Sequence, residues 1–569
     1  MLAPFIFRGA LNTARHEMLD AYGNSRHDDK ASLMQYRSGL ALVNAPEKRP
    51  ADDFQGLSAD RRRQWLFPAD DETATRAVLL LIGAVLLLRL GLSALLPLMV
   101  DEAYAIVVSR THSLSYFDHP PIGFALARLA ADIARSEHPF VIRFPYVLLG
   151  SLSSLLLYDL TKIAYGRNAG FWAVAWFSIA PFFFISAGHF VVPDGPLDFF
   201  LLASARAVAP ILIAGDRRRA LLRWAAAGMM LALALMSKYQ AGLFCVSAAL
   251  ILLAARRGRE ELRHPGPWLA GLIAALGMLP VMIWNMDHQW ASFAFQGGRA
   301  LQHGAHMLHP NNLLVTLAGQ AAYVWPTTWA LIMVLIWRGT DATASAADRF
   351  FTLLSIPTIA FFDIIALFSS HSLPHWSMSG FLFGFPMVGH WCHCNAGRLG
   401  GTIRKSFVVA AVTVAVLAIA FILQTRTAAF TRLIFPQASR YDVGWQSVSW
   451  SRLSARKTTI GLSAPDAFAI APDWIQGGKI GAALGPGVPI EVPSGDPRHF
   501  KYMDDRRLLS RTAGFFIGAA EFGHEDARFD QYNRQLGGRF EVAGPPTWLV
   551  QDLAGFPDFR IVVLPVRRR

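Results

Sequence analysis

Charged residues and cysteines are both scarce in this chain of 569 residues. Asp, Glu, Lys and Arg together make up 16% of it, whereas 53% is hydrophobic, including 40 Phe and 16 Trp. No ordinary soluble domain needs that much apolar surface, so the composition excludes the soluble classes and predicts a membrane protein. The three cysteines, Cys245, Cys392 and Cys394, all precede residue 426. No disulfide is therefore predicted in the polar C-terminal part.

Several common sequence signals are also missing. The first 75 residues lack the charged, apolar and small-residue order of a cleavable signal peptide, and we expect them to form a loosely ordered cytoplasmic tail. The chain shows no glycine-rich phosphate loop and no internal repeat. Its net charge of +13 is not concentrated on a soluble segment with interleaved aromatics, so no nucleic-acid partner is predicted.

Long apolar runs dominate what is present. A helix needs about 20 apolar residues to cross a bilayer, and about eleven runs meet or approach that length. The predicted fold is therefore mainly α, a polytopic membrane protein of about eleven transmembrane helices. The runs lie near residues 77–98, 141–163, 169–187, 197–214, 224–237, 240–255, 267–285, 313–336, 351–369, 377–393 and 406–424.

The positions of the arginines predict the orientation. They occur before the first run and in alternate short loops, as at Arg61, Arg217, Arg257 and Arg404, whereas the loops 188–196 and 370–376 contain no Lys or Arg. The positive-inside rule then places the N-terminus in the cytoplasm and the first long loop outside. We expect three regions: a cytoplasmic tail at 1–75, a transmembrane catalytic domain at 76–425, and a small α/β extracytoplasmic domain at 426–569.

The first outer loop, about 99–140, carries the clearest candidates for chemistry. Asp101 and Glu102 are adjacent and follow the first apolar run directly, where carboxylates meet both lipid and water. Apolar residues at helical spacing on either side of 116–121 predict two amphipathic helices in the interface. Between them, two prolines hold Asp118 and His119 in an extended turn. Asp118 has a simpler alternative role as the N-cap of the following helix.

Further polar residues fall on the same predicted face. Charged side chains are rare at a membrane unless they have a function, and a cluster of carboxylates, Lys, Arg and His suits a reaction in which a phosphate leaves and a hydroxyl attacks. Single residues keep simpler alternatives: an N-cap for the aspartate, a snorkelling anchor for the lysine and an aromatic belt for the rings. The additional candidates are Asp194, Lys238, Tyr239, Arg299 and His375.

The segment Cys392-His393-Cys394, with His390 nearby, has the residue types of a zinc site. Consecutive residues of a helix cannot all point at one ion, and no partner pair exists elsewhere in the sequence. Ordinary packing at a cytoplasmic helix end is the favoured interpretation.

Taken in order, the motifs DEAYA, SYFDHPP, HFVVPDGPL, SKYQ, SFAFQGGR and PHW resemble those of the GT-C membrane glycosyltransferases. The similarity is to the bacterial branch related to protein O-mannosyltransferases and lipid A aminoarabinose transferases. It covers residues from about 77 to 425, and the acidic pair followed by Asp-His-Pro-Pro is its most specific part. The two terminal regions match no family.

The resemblance implies a polyprenyl-phosphate sugar as donor and an inverting transfer at the outer leaflet of the bacterial inner membrane, in cell-envelope biosynthesis. Asp101 would be the general base, and Lys238 and Arg299 would hold the lipid phosphate. Asp194 would position a substrate, with His119 and Glu102 in support. The acceptor would be a glycolipid, a glycan or a protein. No cofactor is required, although some relatives bind a divalent metal, so a metal site stays open.

Two other classes compete with this interpretation. A transporter or lipid flippase would bring charges to the middle of the bilayer on broken helices and often shows an internal repeat. An unrelated oligosaccharide ligase would share the chemistry but usually has its long outer loop late in the chain. Here the charges gather at one face, no repeat is found, and the acidic loop comes first.

Overall fold

The computed structural model describes residues 71–301, 308–369, 372–427, 429, 448–503, 505–520, 525–537, 539–553 and 556–569. All of them belong to one compact unit, Ala59–Arg569. The predicted cytoplasmic tail lies outside the described residues except for its last five, which begin the first helix.

Helices account for most of the described chain before residue 430, which confirms the predicted mainly α class. In chain order they are α1 (Asp71–Leu95), α2 (Val100–Val108), α3 (Ile122–Ala134), α4 (Pro139–Tyr165), α5 (Arg167–Ile179), α6 (Asp194–Leu212), α7 (Ala220–Leu235), α8 (Ala241–Ala254), α9 (Arg256–Glu261), α10 (Pro265–Gly277), α11 (Leu279–Asp287), α12 (Ala291–Leu301), α13 (Pro310–Val324), α14 (Pro326–Gly339), α15 (Ala346–Phe368), α16 (Met378–Phe381), α17 (Phe385–Cys394) and α18 (Ala396–Thr427).

All eleven predicted spans fall on helical segments, but the number of full spans is not confirmed. Six helical stretches in the described chain are long and apolar enough to cross a bilayer: α1, α4, α6, α10 with α11, α15 and α18. The pair α13 and α14 bends by 107° and would add a seventh. The other predicted spans are shorter or interrupted, because α7 and α8 form a hairpin, a π-helix at Phe182–Ser186 follows α5, and 3₁₀ turns interrupt 374–384.

The region after residue 447 is a small α/β structure, as predicted. Its helices are α19 (Ser451–Arg456), α20 (Trp474–Leu484) and α21 (Glu525–Leu536), and its strands are β1 (Ala467–Ile470), β2 (Ile490–Glu491), β3 (Ala513–Ala520), β4 (Phe540–Val542), β5 (Thr547–Leu553) and β6 (Phe556–Arg568). The sheet has the order β2-β1-β3-β6-β4, and β5 also pairs with β6. β1 runs parallel to β2 and β3, whereas β6 is antiparallel to its partners.

The C-terminal region packs directly on the loop 99–140, which the sequence predicts to lie outside. The loop contains the two predicted helices, α2 and α3, and α20 lies against α2 at close range. A Cβ at Gly478 would come within 2.7 Å of the Tyr104 backbone nitrogen, and one at Gly481 within 2.8 Å of the Val107 side chain. The two glycines thus allow α20 to approach α2, so that α2 is mostly buried under protein.

Candidate active site

A cavity of about 740 Å³ lies where the first outer loop, the beginning of α6, the α7–α8 hairpin tip, α12 and the C-terminal region meet. Its lining combines polar side chains with apolar ones. The polar lining consists of Asp101, Tyr104, Asp118, His119, Asp194, Lys238, Tyr239, Gln240, Gln296, His375 and Arg498. The apolar lining includes Leu243, Phe361, Phe362, Ile365, Leu373 and Trp376.

Seven of the nine residues predicted for the site line this one cavity: Asp101, Asp118, His119, Asp194, Lys238, Tyr239 and His375. Their roles stay predictions, but these residues come from five separate motifs and line the same cavity. Arg299 lies in α12, close after the lining residues Gln296 and Gly297, and its side chain is outside the described part of the structure. Glu102 is the one described candidate that does not line the cavity.

Asp101 and Glu102 point to different environments although they are neighbours in the chain. Successive residues of a helix are rotated by about 100°, and both lie in the first turn of α2. The Asp101 side chain is exposed and lines the cavity, whereas the Glu102 side chain is fully buried.

Both carboxylate oxygens of Glu102 accept hydrogen bonds from neighbouring groups. Its carboxylate accepts from Nε and Nη2 of Arg143, at 2.7 and 2.5 Å, and both side chains are 0% exposed. It also accepts from the backbone nitrogens of Met99, at 2.9 Å, and Val191, at 3.1 Å. A carboxylate held in this way has no oxygen free for a substrate. The geometry therefore speaks against the catalytic role predicted for Glu102 and assigns it to positioning the loops on which the site stands.

Asp194 and Lys238 form a buried ion pair. Lys238 Nζ donates to Asp194 Oδ1 at 2.8 Å, and the two side chains are 9% and 11% exposed. The N-cap of α6 is Pro193, so Asp194 is not the capping residue that the simpler alternative predicts. Lys238 is likewise not a snorkelling anchor, because its ammonium group turns inward to a carboxylate. The pair joins α6 to the α7–α8 hairpin tip at the cavity wall.

Asp118 is buried in a polar frame. Its Oδ1 accepts a hydrogen bond from the Tyr104 hydroxyl at 3.0 Å, and its backbone carbonyl accepts from Gln296 Nε2 at 2.6 Å. The N-cap of α3 is Pro121, so the capping alternative is wrong here too. Burial raises the pKa of the Asp118 carboxyl to about 6, although nearby Arg498 acts in the opposite direction.

Sequence reasoning missed four polar residues of the cavity lining, Tyr104, Gln240, Gln296 and Arg498, and Arg498 is the charged one among them. Its Nη1 lies 3.6 Å from Oδ2 of Asp118, and it begins a 3₁₀ helix at Arg498–Tyr502. The only local signal is a turn sequence, Pro-Ser-Gly-Asp-Pro, directly before it. That signal predicts a turn and gives no indication that the turn reaches the outer loop.

The described side chains do not include a cluster of metal ligands. Among the described residues, no group of three or more His, Cys, Asp or Glu side chains is placed to hold a metal ion. At the candidate zinc segment, Cys394 Sγ lies 3.7 Å from the His390 ring, which stacks on Tyr165, while Cys392 is buried. Packing accounts for these contacts.

The chain was then compared with known proteins. Residues 118–284, a stretch that begins at Asp118 and includes Lys238, match the family model described as dolichyl-phosphate-mannose-protein mannosyltransferase. No curated protein shows a significant match. Two crystal structures of ArnT from Cupriavidus metallidurans superpose on the chain. The one bound to undecaprenyl phosphate has a TM-score of 0.55 at 15% identity, covering 86% of this chain and 97% of ArnT.

The apo form of ArnT gives a TM-score of 0.53 at 14% identity, covering 86% of this chain and 98% of ArnT. The chain has the same fold as ArnT. The resemblance inferred from its motifs is thereby confirmed, and the protein is a multi-pass membrane protein. Because the match extends over 86% of the chain, the GT-C likeness also reaches beyond the 77–425 segment from which the sequence motifs come.

Proposed function

We propose that this GT-C protein is a glycosyltransferase that moves a sugar from a polyprenyl-phosphate donor to a glycolipid, glycan or protein acceptor, with inversion. The cavity carries the proposal, because its lining combines charged side chains with apolar ones. A polyprenyl-phosphate sugar has the same two-part character, a polar head on a long hydrocarbon tail. The ArnT structure that shares this fold binds undecaprenyl phosphate.

The apolar wall supports a lipid-linked donor. Leu243 on α8 and Phe362 and Ile365 on α15 line the cavity, and Phe361 beside them is 43% exposed. α15 is one of the helices long enough to cross the bilayer. A hydrocarbon tail that lies along these side chains keeps its contacts with the membrane while its head group enters the polar part of the cavity.

Asp101 is the proposed general base. Its carboxylate takes the proton from the acceptor hydroxyl as that oxygen attacks the anomeric carbon of the sugar. The bond from this carbon to the phosphate oxygen breaks, and the polyprenyl phosphate leaves from the opposite side, which inverts the configuration. Proton removal by a positioned base contributes about 10²–10⁴-fold to such a rate. The exposed position of Asp101 on the cavity wall suits this role.

Lys238 is the proposed partner of the leaving phosphate. Negative charge grows on the phosphate as the sugar departs, and a cation that is already in place stabilises it without reorganisation. The hydrogen bond that Lys238 donates to Asp194 keeps the lysine in position. Arg299 is proposed for the same task because of the motif in which it occurs. His119, Tyr239 and His375 are proposed to bind sugar or acceptor hydroxyls.

The direct test is transfer from synthetic polyprenyl-phosphate sugars by the purified protein in detergent. Mass spectrometry of envelope glycolipids from cells with and without the protein identifies the sugar, because a hexose, uronic acid or amino-pentose that disappears is the one transferred. If no glycolipid, glycan or protein changes, and the purified protein instead moves lipid across vesicle membranes, the transporter alternative replaces this proposal.

We further propose that the cavity faces the periplasm. The proposal rests on the arginine-rich alternate loops and on the absence of Lys and Arg from 188–196 in the sequence. A reporter that is active only outside the cytoplasm should be active when fused after Arg569 and silent when fused near Arg257. The reverse pattern would place the site on the cytoplasmic side.

A further inference from the structure

The guanidinium group of Arg498 is held on the cavity wall by aromatic rings. Its Cζ lies 4.4 Å from the centroid of the Trp474 ring, on α20, and 4.8 Å from that of Phe295, on α12. A planar guanidinium that packs on ring faces keeps its orientation, and its N–H groups point outward in its own plane. The side chain is 17% exposed and lines the cavity.

The terminal N–H groups of Arg498 donate no hydrogen bond to the described residues. Nε donates to Asp496 Oδ2 at 3.2 Å. Nη1 lies 3.6 Å from Oδ2 of Asp118, which is too long for a hydrogen bond. Neither Nη group has a hydrogen-bond partner among the described residues. Lys238, in contrast, is hydrogen-bonded to Asp194 at 2.8 Å. Arg498 is thus the described cation of the cavity that is best prepared to bind an added anion.

The backbone around Arg498 is fixed to the outer loop. Arg498 has φ of 50°, a left-handed conformation that costs a non-glycine residue about 1–3 kcal/mol and persists only where the surroundings enforce it. The next residue, His499, donates its backbone N–H to the Tyr104 hydroxyl at 3.0 Å and accepts from the Phe117 N–H at Nδ1, at 3.1 Å. These bonds hold Arg498 in place beside Asp118.

The location of Arg498 indicates which part of a substrate it contacts. The apolar wall belongs to α15, a membrane-spanning helix, whereas Arg498 and Trp474 belong to the C-terminal α/β region. A lipid-linked ligand whose tail lies along α15 can therefore present a polar group to Arg498 in the same cavity. A guanidinium with free terminal N–H groups matches the two oxygens of a carboxylate or a phosphate.

We propose that Arg498 is a specificity-determining residue that binds an oxyanion on the polar part of the substrate. The oxyanion is the carboxylate of an acidic sugar or a phosphate group on the acceptor. This inference rests on the proposed glycosyltransferase function and narrows its substrate class to one that carries an anion on that part.

The experiment measures binding without transfer. The purified full chain in detergent is titrated with sodium glucuronate, with inorganic phosphate and with neutral glucose, and binding is followed by tryptophan fluorescence and by melting temperature. We expect glucuronate or phosphate to bind saturably and glucose to have no effect. Arg498→Gln should weaken that binding about 10-fold or more, the usual loss for a charged hydrogen bond. Arg498→Lys should lie in between, because it keeps the charge but loses the planar fork.

Arg456→Gln is the matched control, since Arg456 is an exposed arginine of the same region that does not line the cavity. It should bind as the wild type does. A response to glucuronate alone identifies an acidic sugar. A response to phosphate alone that persists in Lys238→Gln identifies an acceptor phosphate.

Three results would overturn the proposal: no response to either anion, unchanged binding in Arg498→Gln, or a phosphate response that is lost in Lys238→Gln and kept in Arg498→Gln. Melting without ligand shows whether Arg498→Gln is folded. If it is not, equal affinity of Arg498→Lys and wild type overturns the proposal instead. A protein that binds the anion but transfers no sugar would refute the proposed function and leave this inference standing.

Discussion

Two arginine–carboxylate pairs lie on either side of α2, and they differ in how completely each is satisfied. Behind the cavity, Arg143 donates to both oxygens of Glu102 and to the backbone carbonyls of Leu96 and Pro97, at 2.7 and 2.6 Å. On the cavity wall, Arg498 approaches Asp118 no closer than 3.6 Å. The first pair is closed and wholly buried, and the second leaves donors facing the cavity.

Both pairs consist of an arginine and a carboxylate, so residue type alone does not distinguish a structural role from a ligand-binding role. The number of hydrogen bonds that each pair has made does. A buried pair with all its hydrogen bonds made has no capacity for a ligand, and breaking it leaves an uncompensated charge. An incompletely paired arginine and carboxylate beside a cavity can exchange partners when a substrate arrives. The closed pair therefore organises the loops, because Glu102 also binds the backbone of Val191 near Asp194. The open pair belongs to the site itself.

The largest expected effect is on catalysis at Asp101. Asp101→Asn keeps the size of the side chain but cannot accept a proton, so transfer should fall by about 10²-fold or more while donor binding is largely kept. The measurement is transfer from a synthetic polyprenyl-phosphate sugar by wild type, Asp101→Asn and Asp194→Asn. If Asp101→Asn transfers at the wild-type rate and Asp194→Asn is inactive, the base is on α6.

Glu102→Gln should act on stability. It leaves Arg143 charged and buried without a counter-charge, a change that costs about 3–5 kcal/mol in other proteins. We expect a clear loss of melting temperature and of folded yield in detergent, and any folded fraction should still bind donor. A variant with wild-type melting and strongly reduced transfer would return Glu102 to the catalytic group.

A smaller loss of turnover is expected when a residue proposed to bind the leaving phosphate is removed. Lys238→Ala should reduce turnover by about 10-fold or more, the usual loss for one charged hydrogen bond, and so should Arg299→Ala if that residue shares the task. Lys162→Ala is the control, because Lys162 is also paired with an aspartate, Asp159, at 2.6 Å, but does not line the cavity. Near-normal turnover in either test variant would reduce that residue to an anchor.

A further effect concerns pH and the incompletely paired Arg498 and Asp118. The pKa of Asp118 is about 6 in the folded protein and about 3.9 in an unfolded chain. Between these values the folded state binds more protons, so the free energy of unfolding falls as pH rises from about 4 to 6. One group contributes at most about 1.4 kcal/mol per pH unit. Melting curves of Asp118→Asn should lack this contribution, and an unchanged slope would contradict it.

The motifs near residues 101, 118, 194, 238 and 375 were recognisable in the sequence because charge is rare beside long apolar runs. The structure brings them to one cavity, as their shared predicted face required. Asp101 and Glu102 have the same chemistry, and only the position of Arg143, on α4, shows that Glu102 is the buried one. Its catalytic role stays a prediction. The side chain of Arg299 is outside the described part of the structure, so its role stays a prediction.

The number of membrane-spanning helices was also only partly predictable from the sequence. Apolar length predicts that a segment is helical in or near a bilayer, and every predicted segment is helical. Whether it crosses as one straight helix depends on local breaks such as the left-handed Trp325, with φ of 84°, between α13 and α14. A hydropathy count cannot detect a bend between two apolar helices.

The sequence by itself determined the membrane class, the helical segments, the α/β character of the C-terminal region and most of the cavity residues. Each of these follows from composition and from residues close together in the chain. Only the tertiary structure decided that α20 packs on α2, that Glu102 is closed off by Arg143, and that Arg498 completes the cavity wall. These depend on contacts between distant segments, and such contacts are set by packing in three dimensions rather than by local pattern.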